Sequence, residues 1–393
     1  MAHSDDLIAI LKEALSEAER KRGKVNILIA GQAGVGKSTL VNAVFAKRIA
    51  ETGQGRPVTR STRQYTKKGV PVTIFDTQGL ELAHFHEMAT ELEKFVAEKM
   101  AGEPSQHIHA AWLCICEDSR RVQDSETELA EMFARHHIPV VGVITKARAD
   151  DGFRKEVQRL LPAAKNVVRV RALEERDDDG TERPTMGLAE LVALTVELVP
   201  EDFQGAFAAA QIVDVAQKVS QARRAVISAA GLAAAVGLGN PIPISDCALL
   251  APIQLGMLAA VSLAFGLDLN ASAIFTLLSS AIGTALAGTG GRLLVASLLR
   301  LLPGAGTLVG AAISSSVAAA LTTMLGEAYI AALSSLVEGD GANAPGVKEI
   351  VAAFRAELSR PKPSGEVPEG SPKKVTSWVQ SWFQRPSGHQ EPG

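Results

Sequence analysis

Between residue 25 and about residue 199, short apolar runs alternate with stretches whose apolar positions recur at helical spacing. The runs at 25–30, 64–67, 70–75, 110–116, 138–144 and 167–171 read as strands, and the helical stretches between them predict an α/β domain with a doubly wound sheet. Lys68-Gly69 separates the second run from the third closely enough for a hairpin, so an antiparallel edge strand is expected and the sheet is mixed. Residues 174–187 are charged and read as a loop before the last helix of the domain, which Pro200 closes. Ahead of the block, 4–20 predicts an amphipathic helix capped by Ser4. Asp5 and Asp6 suit its first turn, and Leu7, Leu11 and Leu15 form a stripe expected to pack on the neighbouring α/β domain.

Beyond 200 the pattern changes. Residues 201–224 are helical and partly polar, whereas 225–326 hold only four charged side chains, Asp246, Asp268, Arg292 and Arg300. The charge-free windows 225–245, 247–267, 269–291 and 301–326 are each long enough to span a bilayer core at about 1.5 Å per residue. They are rich in Ala, Gly and Ser and are interrupted by Pro241, Pro243, Pro252 and Pro303, and small-residue helices also fill tight soluble bundles. Insertion into or attachment to a membrane is the first expectation, and a bundle covered by flanking helices or a second copy is its rival. Past 337 the chain turns polar and Pro-rich. It predicts a helix at 347–359 and a last one in which Trp378 and Trp382 share a face with Val375 and Val379, behind Lys373 and Lys374. That helix suits an interfacial anchor and equally a helix packed back on the protein. The chain therefore divides into 1–23, an N-terminal helix; 24–200, the α/β domain; 201–336, an all-α and very apolar helical domain; and 337–393, a tail.

Charge narrows the partners. Lys and Arg number 40 against 43 Asp and Glu, a net charge of −3, which offers no surplus to neutralise a phosphate backbone, so no nucleic acid is expected. Cys114, Cys116 and Cys247 make neither a disulfide framework nor a CxxC pair and fit a reducing cytosol, while the acidic N-terminus is unlike a secretory signal. The near-pairs His84/His86, His107/His109 and His136/His137 lack acidic or thiol partners at ligand spacing and read as solvated or core histidines.

The chemistry begins where the first strand ends. Gly31, Gln32, Ala33, Gly34, Val35, Gly36, Lys37 and Ser38 match G-x-x-x-x-G-K-[ST], and Thr39 continues into the next helix. Glycines let the backbone curl so that its amides face phosphate oxygens, Lys37 reaches the β- and γ-phosphates, and the Ser38 hydroxyl ligates Mg²⁺. Asp76-Thr77-Gln78-Gly79 ends the third run as D-x-x-G, in which Asp76 holds Mg²⁺ through water and the Gly79 amide senses the γ-phosphate. Thr59 is placed to reach Mg²⁺ and the γ-phosphate, with Thr62 a rival. Lys37, Thr59 and Gly79 are the expected catalytic set, and Ser38, Thr59 and Asp76 the expected metal set.

A base-recognition element of the form [NT]KxD should come after the fifth run, and Thr145-Lys146 supplies its start. Arg148 stands where the carboxylate that accepts from guanine belongs, and Arg has donors only. Asp150 or Asp151 could fold back to replace it, Lys146 would cover the base, and the amide near Ala172 would meet guanine O6. Directly after D-x-x-G stands Leu80, which cannot orient a water. Gln78, Glu81, a backbone carbonyl or a second molecule must do so.

With these motifs and the run from Asn240-Pro241-Ile242-Pro243-Ile244-Ser245-Asp246 to Gln254, Leu255 and Met257, the chain resembles bacterial GTPases in which an Era-like G domain precedes a YcjF-type helical domain. The resemblance covers roughly 24–335. It implies GTP and GDP as ligands, Mg²⁺ as cofactor, hydrolysis of the phosphoanhydride bond, a possible homodimer, and a place on the cytoplasmic side of a membrane through 225–335, with a soluble cytoplasmic protein as the alternative.

Overall fold

The computed structural model describes residues 2–45, 56–57, 59, 62–77, 85–176, 180–236, 250–274, 276–277, 315–339, 345–359 and 372–383. The chain divides into two units, 22–214 and a second formed by 1–21 with 215–393.

The first unit is built on seven strands: β1 (Val25–Gly31), β2 (Arg56–Pro57), β3 (Thr62–Thr66), β4 (Val72–Thr77), β5 (Ala110–Cys116), β6 (Val140–Thr145) and β7 (Ala164–Arg169). They lie in the order β2-β3-β4-β1-β5-β6-β7. From β4 to β7 neighbours run parallel, and β3 and β2 are antiparallel at one edge, giving the mixed sheet the sequence predicts. Lys68-Gly69 makes the turn between β3 and β4, with Gly69 at φ 81. Strand limits shift by two or three residues at several ends, because pairing partners rather than local apolarity fix them.

Every residue of β1 is buried, as both faces of the sheet are covered. Alternate residues feed different cores: Ile27 and Ile29 join Phe45, Trp112 and Phe207 on one face, while Leu28 and Ala30 join Phe75, Phe95 and Phe133 on the other. The covering helices are α2 (Lys37–Val44), α3 (Phe85–Met100), α4 (Asp124–Arg135), α5 (Phe153–Leu160), α6 (Leu188–Leu198) and α7 (Glu201–Ala210). Phe207 of α7 meets Phe45 edge-on, and Phe45 stacks on Trp112, so this unit runs past the boundary at 200 drawn from the sequence. His109 is a core histidine: its Nδ1 accepts the Asn26 amide at 2.9 Å and its ring stacks on Phe203.

The second unit contains α1 (Ala2–Arg22), α8 (Val215–Val236), α9 (Leu250–Ala264), α10 (Ser315–Gly339), α11 (Val347–Ser359) and α12 (Pro372–Phe383). α10 is the central member and packs on α8, α9, α11 and α12. Small residues permit the close approach: a Cβ on Gly326 would lie 2.5 Å from Val226 Cγ2 and 3.0 Å from Met257 Sδ. Beside it Glu327, only 1% exposed, accepts from Arg223 Nε at 3.1 Å and from Gln380 Nε2 at 3.0 Å.

Two helices sit differently from one of their expectations. Leu15 of α1 packs into this helical core, so the N-terminal helix belongs to the unit of the distant C-terminal helices, although the α/β domain is next to it in sequence. α12 is packed back on the bundle through Val379 and Thr376, both buried. The side chains of Trp378 and Trp382 lie outside the described residues, as do 237–249 and 278–314, with Asp246, Arg292 and Arg300.

Candidate functional site

The carboxyl ends of the parallel strands meet along one edge of the sheet, where Gly31 is level with Cys114, Cys116 with Thr145, and Ile144 with Arg169. In open α/β sheets this is the edge where ligands bind. Gly31, Gly34 and Gly36 take φ of 144, 72 and 102, and a Cβ on Gly31 would run into the Cys114 carbonyl oxygen. The backbone thus curls as the motif requires. Lys37 Nζ donates to the carbonyls of Gly31 at 2.8 Å and Gln32 at 3.0 Å, which holds the ammonium across the loop. Burial lowers its pKa, and Asp76 pulls the other way. Val35 is buried, while Ala33, Gly34, Ser38 and Thr39 are exposed at the rim, with Gln32 and Gly36 half-buried.

Asp76 lies on β4 one residue before its end. Burial pushes its carboxyl up to about 6, against the pull of Lys37 and Arg63, and its Oδ1 is buried with no partner among the described residues. A desolvated carboxylate oxygen with no donor among the described residues, beside the Lys37 ammonium that follows the glycine loop, is a hard-oxygen ligand of the kind that suits Mg²⁺. Thr59 sits half-buried in the bend before β3, its amide donating to Thr62 O at 3.2 Å. Its rival Thr62 is fully buried in β3 opposite Thr77, and its Oγ1, like Asp76 Oδ1, has no partner among the described residues. Gln78, Gly79, Leu80 and Glu81 lie outside the described residues.

At the base end the structure brings together residues that the sequence does not single out. The Thr145 hydroxyl donates to Val35 O at 2.6 Å, so it braces the phosphate loop from β6. Lys146 is exposed at φ 54. The loop after it is tied down on several sides. Glu117, immediately after β5 and 1% exposed, accepts the amides of Arg148 and Ala149 and takes Arg169 Nε at 2.7 Å. Burial alone would raise the Glu117 carboxyl. The Arg169 hydrogen bond and the two amides hold it below the usual carboxylate range. Arg120 donates to Ala149 O at 2.6 Å and Asp150 O at 2.8 Å. Buried Arg171 donates to Ala147 O at 2.9 Å, and the Ala147 amide reaches Val170 O at 3.2 Å.

Asp150 Oδ1 accepts the Arg154 amide at 2.8 Å and caps α5, while Asp151, 78% exposed, pairs with Arg120 at 3.2 Å. Ala172 is half-buried just past Arg171, on the strand end joined to this loop. Arg148 is turned to Glu175, with Nε and Nη2 each 3.0 Å from Oε2. The signal that could have found Glu117 is its position: a charged residue directly after an apolar strand, as Asp76 comes after the apolar part of β4.

Residues 26–146 match the family described as 50S ribosome-binding GTPase, and residues 207–360 match a domain of unknown function, DUF697. Among curated relatives, GTPase Der of Rhizobium johnstonii is 33% identical over 138 residues, covering 32% of this chain and 27% of the relative. The tRNA modification GTPase MnmE of Zymomonas mobilis is 26% identical over 159 residues, covering 38% and 35%. GTPase Era of Clostridioides difficile is 29% identical over 128 residues, covering 32% and 40%. The chain thus spans between about a quarter and two fifths of the length of these relatives.

Proposed function

Since this chain joins an Era-like GTPase domain to a DUF697 domain, we propose that it is a GTP-hydrolysing switch whose nucleotide state is read by the helical unit. The observation that carries the reading is the loop 31–38, curled at its glycines and spanned by Lys37, whose ammonium interacts with Asp76, a carboxylate with one buried oxygen that no group among the described residues satisfies. The loop amides and the start of α2 bind the phosphates, and Lys37 offsets the charge that builds on the transferred group. Ser38, Thr59 and Asp76 would hold Mg²⁺, which when bound neutralises phosphate charge. Thr59 and Gly79 sense the γ-phosphate, and its loss releases the segments around them. Leu80 cannot orient the attacking water, so intrinsic turnover is slow and a second copy or partner speeds it. Phosphate release from Mg²⁺ and GTP tests this directly. Lys37→Ala should lower it at least about a hundredfold with the fold intact, and unchanged release would overturn the reading.

For the helical unit, the described residues support a covered bundle over a span at Ala318–Val337. That window is long and apolar enough to cross a membrane, yet 72% of it is buried, and Glu327 within it is paired. The remaining parts of the 225–335 block, 237–249 and 278–314, lie outside the described residues and carry as charged residues Asp246, Arg292 and Arg300. Fractionation of the full chain with an alkaline wash separates the readings, since a bilayer-embedded chain stays in the pellet and a covered bundle is released. A ribosomal partner, suggested by the matched family's description, is disfavoured by the net charge of −3 and is tested by co-sedimentation with 50S particles.

A further inference from the structure

The base loop has an arginine where its motif calls for a carboxylate, and the two aspartates beside it are engaged in capping α5 and pairing with Arg120. Another carboxylate stands at the same loop. Glu175 Oε2 receives Arg148 Nε and Nη2 at 3.0 Å each, while its Oε1 makes no bond among the described residues. Arg148 cannot accept a hydrogen bond from a base, but it can hold an acceptor that does.

Glu175 is also fixed in place. It opens a short ribbon, β8 (Glu175–Arg176) against β9 (Glu182–Arg183), where it lies opposite Arg183. Arg171 roots that ribbon: its backbone exchanges hydrogen bonds with Met186, and Nη1 donates to Pro184 O at 2.7 Å. The same guanidinium holds Ala147 O through Nε. One buried side chain therefore sets the distance between the base loop and the ribbon that carries Glu175.

We propose that Glu175, drawn to the base loop by Arg148, is the specificity residue of the nucleotide site and accepts the N1–H and exocyclic amine of guanine. The inference rests on the GTP-site reading above. Guanine offers two donors on that edge. Adenine offers an N1 lone pair there and no 2-amino group, so the same carboxylate selects against ATP.

The test is equilibrium binding of Mg²⁺ complexes of GTP, xanthosine triphosphate and ATP to the full chain, comparing wild type, Glu175→Gln, Arg148→Ala and the double variant Arg148→Asp with Glu175→Gln. A hydrogen bond to a charged group is worth about 1.5–3 kcal/mol, so Glu175→Gln should lose roughly ten- to a hundredfold in GTP affinity. It should gain on xanthosine triphosphate, because the amide nitrogen can donate to xanthine O2, and should not weaken ATP, whose N1 lone pair no longer meets a carboxylate. Arg148→Ala should lose GTP selectivity in the same direction, and the double variant should restore it by placing a carboxylate on the loop itself. An unchanged GTP to xanthosine triphosphate ratio in Glu175→Gln, or an equal loss for all three nucleotides, overturns the assignment while leaving the GTP site standing. A wild type that binds none of them overturns both.

Discussion

At the phosphate end of the site the protein presents backbone amides and one lysine, all within eight consecutive residues; at the base end it presents a loop pinned by Glu117, Arg120, Arg169 and Arg171 from separate parts of the chain. The phosphate end therefore tolerates change in its neighbours but not in its glycines, while the base end should tolerate backbone change and fail when a buried charge is removed. Phosphates are common to every nucleoside triphosphate and a backbone cradle suffices for them. Bases differ in donors and acceptors, and telling them apart requires placed side chains.

The largest expected effect strikes the backbone end. Gly31→Ala puts a Cβ onto the Cys114 carbonyl at a φ that L side chains rarely adopt. It should cost about 3 kcal/mol or more, lowering the Tm of the nucleotide unit by roughly 6–12 °C in calorimetry. A shift of under about 2 °C would show that the loop can move aside.

Next comes a pH effect beside the same end. Glu126 in the first turn of α4 is 4% exposed, and burial raises its carboxyl to about 7 despite the hydrogen bond from the Gln123 amide. The unfolded carboxyl ionises near 4.5, so stability is lost as pH rises from there to about 7 and stays lost above it. Glu126→Gln keeps the acceptor without the charge. It should gain about 2–3 kcal/mol over wild type at pH 8 and nothing at pH 4, as read from urea unfolding at both pH values.

Gly326→Val then separates the two units. It overfills the contact with Val226 and should cost about 1–3 kcal/mol in the helical unit while GTP affinity stays at the wild-type value; a fall in both would couple the units more tightly than proposed. The smallest effect is Thr145→Val, which removes the brace on Val35 O. It should cost about 1 kcal/mol and weaken GTP binding a few-fold, with ATP weakened equally because the brace acts on the phosphate loop.

The same contrast explains what could be read from sequence. The phosphate loop and Asp76 were legible because each is a short, contiguous pattern tied to a strand end. The mixed sheet was legible from the alternation of runs and turns. Glu117, Arg169, Arg171 and Glu175 were not legible, since they converge only when β5, β6 and β7 align, and periodicity does not report which strand ends meet. The stripe of α1 showed that one face is buried but not by what, and the core that takes Leu15 is some two hundred residues away in sequence. Glu327 marked the end of an apolar window in sequence. In the fold it sits within α10, with Arg223 and Gln380 as partners, and this favours a covered bundle there.

Competition between GTP and ATP for the wild-type full chain, read as displacement of labelled GDP in the presence of Mg²⁺, tests the central claim most directly. Displacement by GTP is expected at concentrations at least about tenfold lower than by ATP. Equal displacement by the two would contradict it.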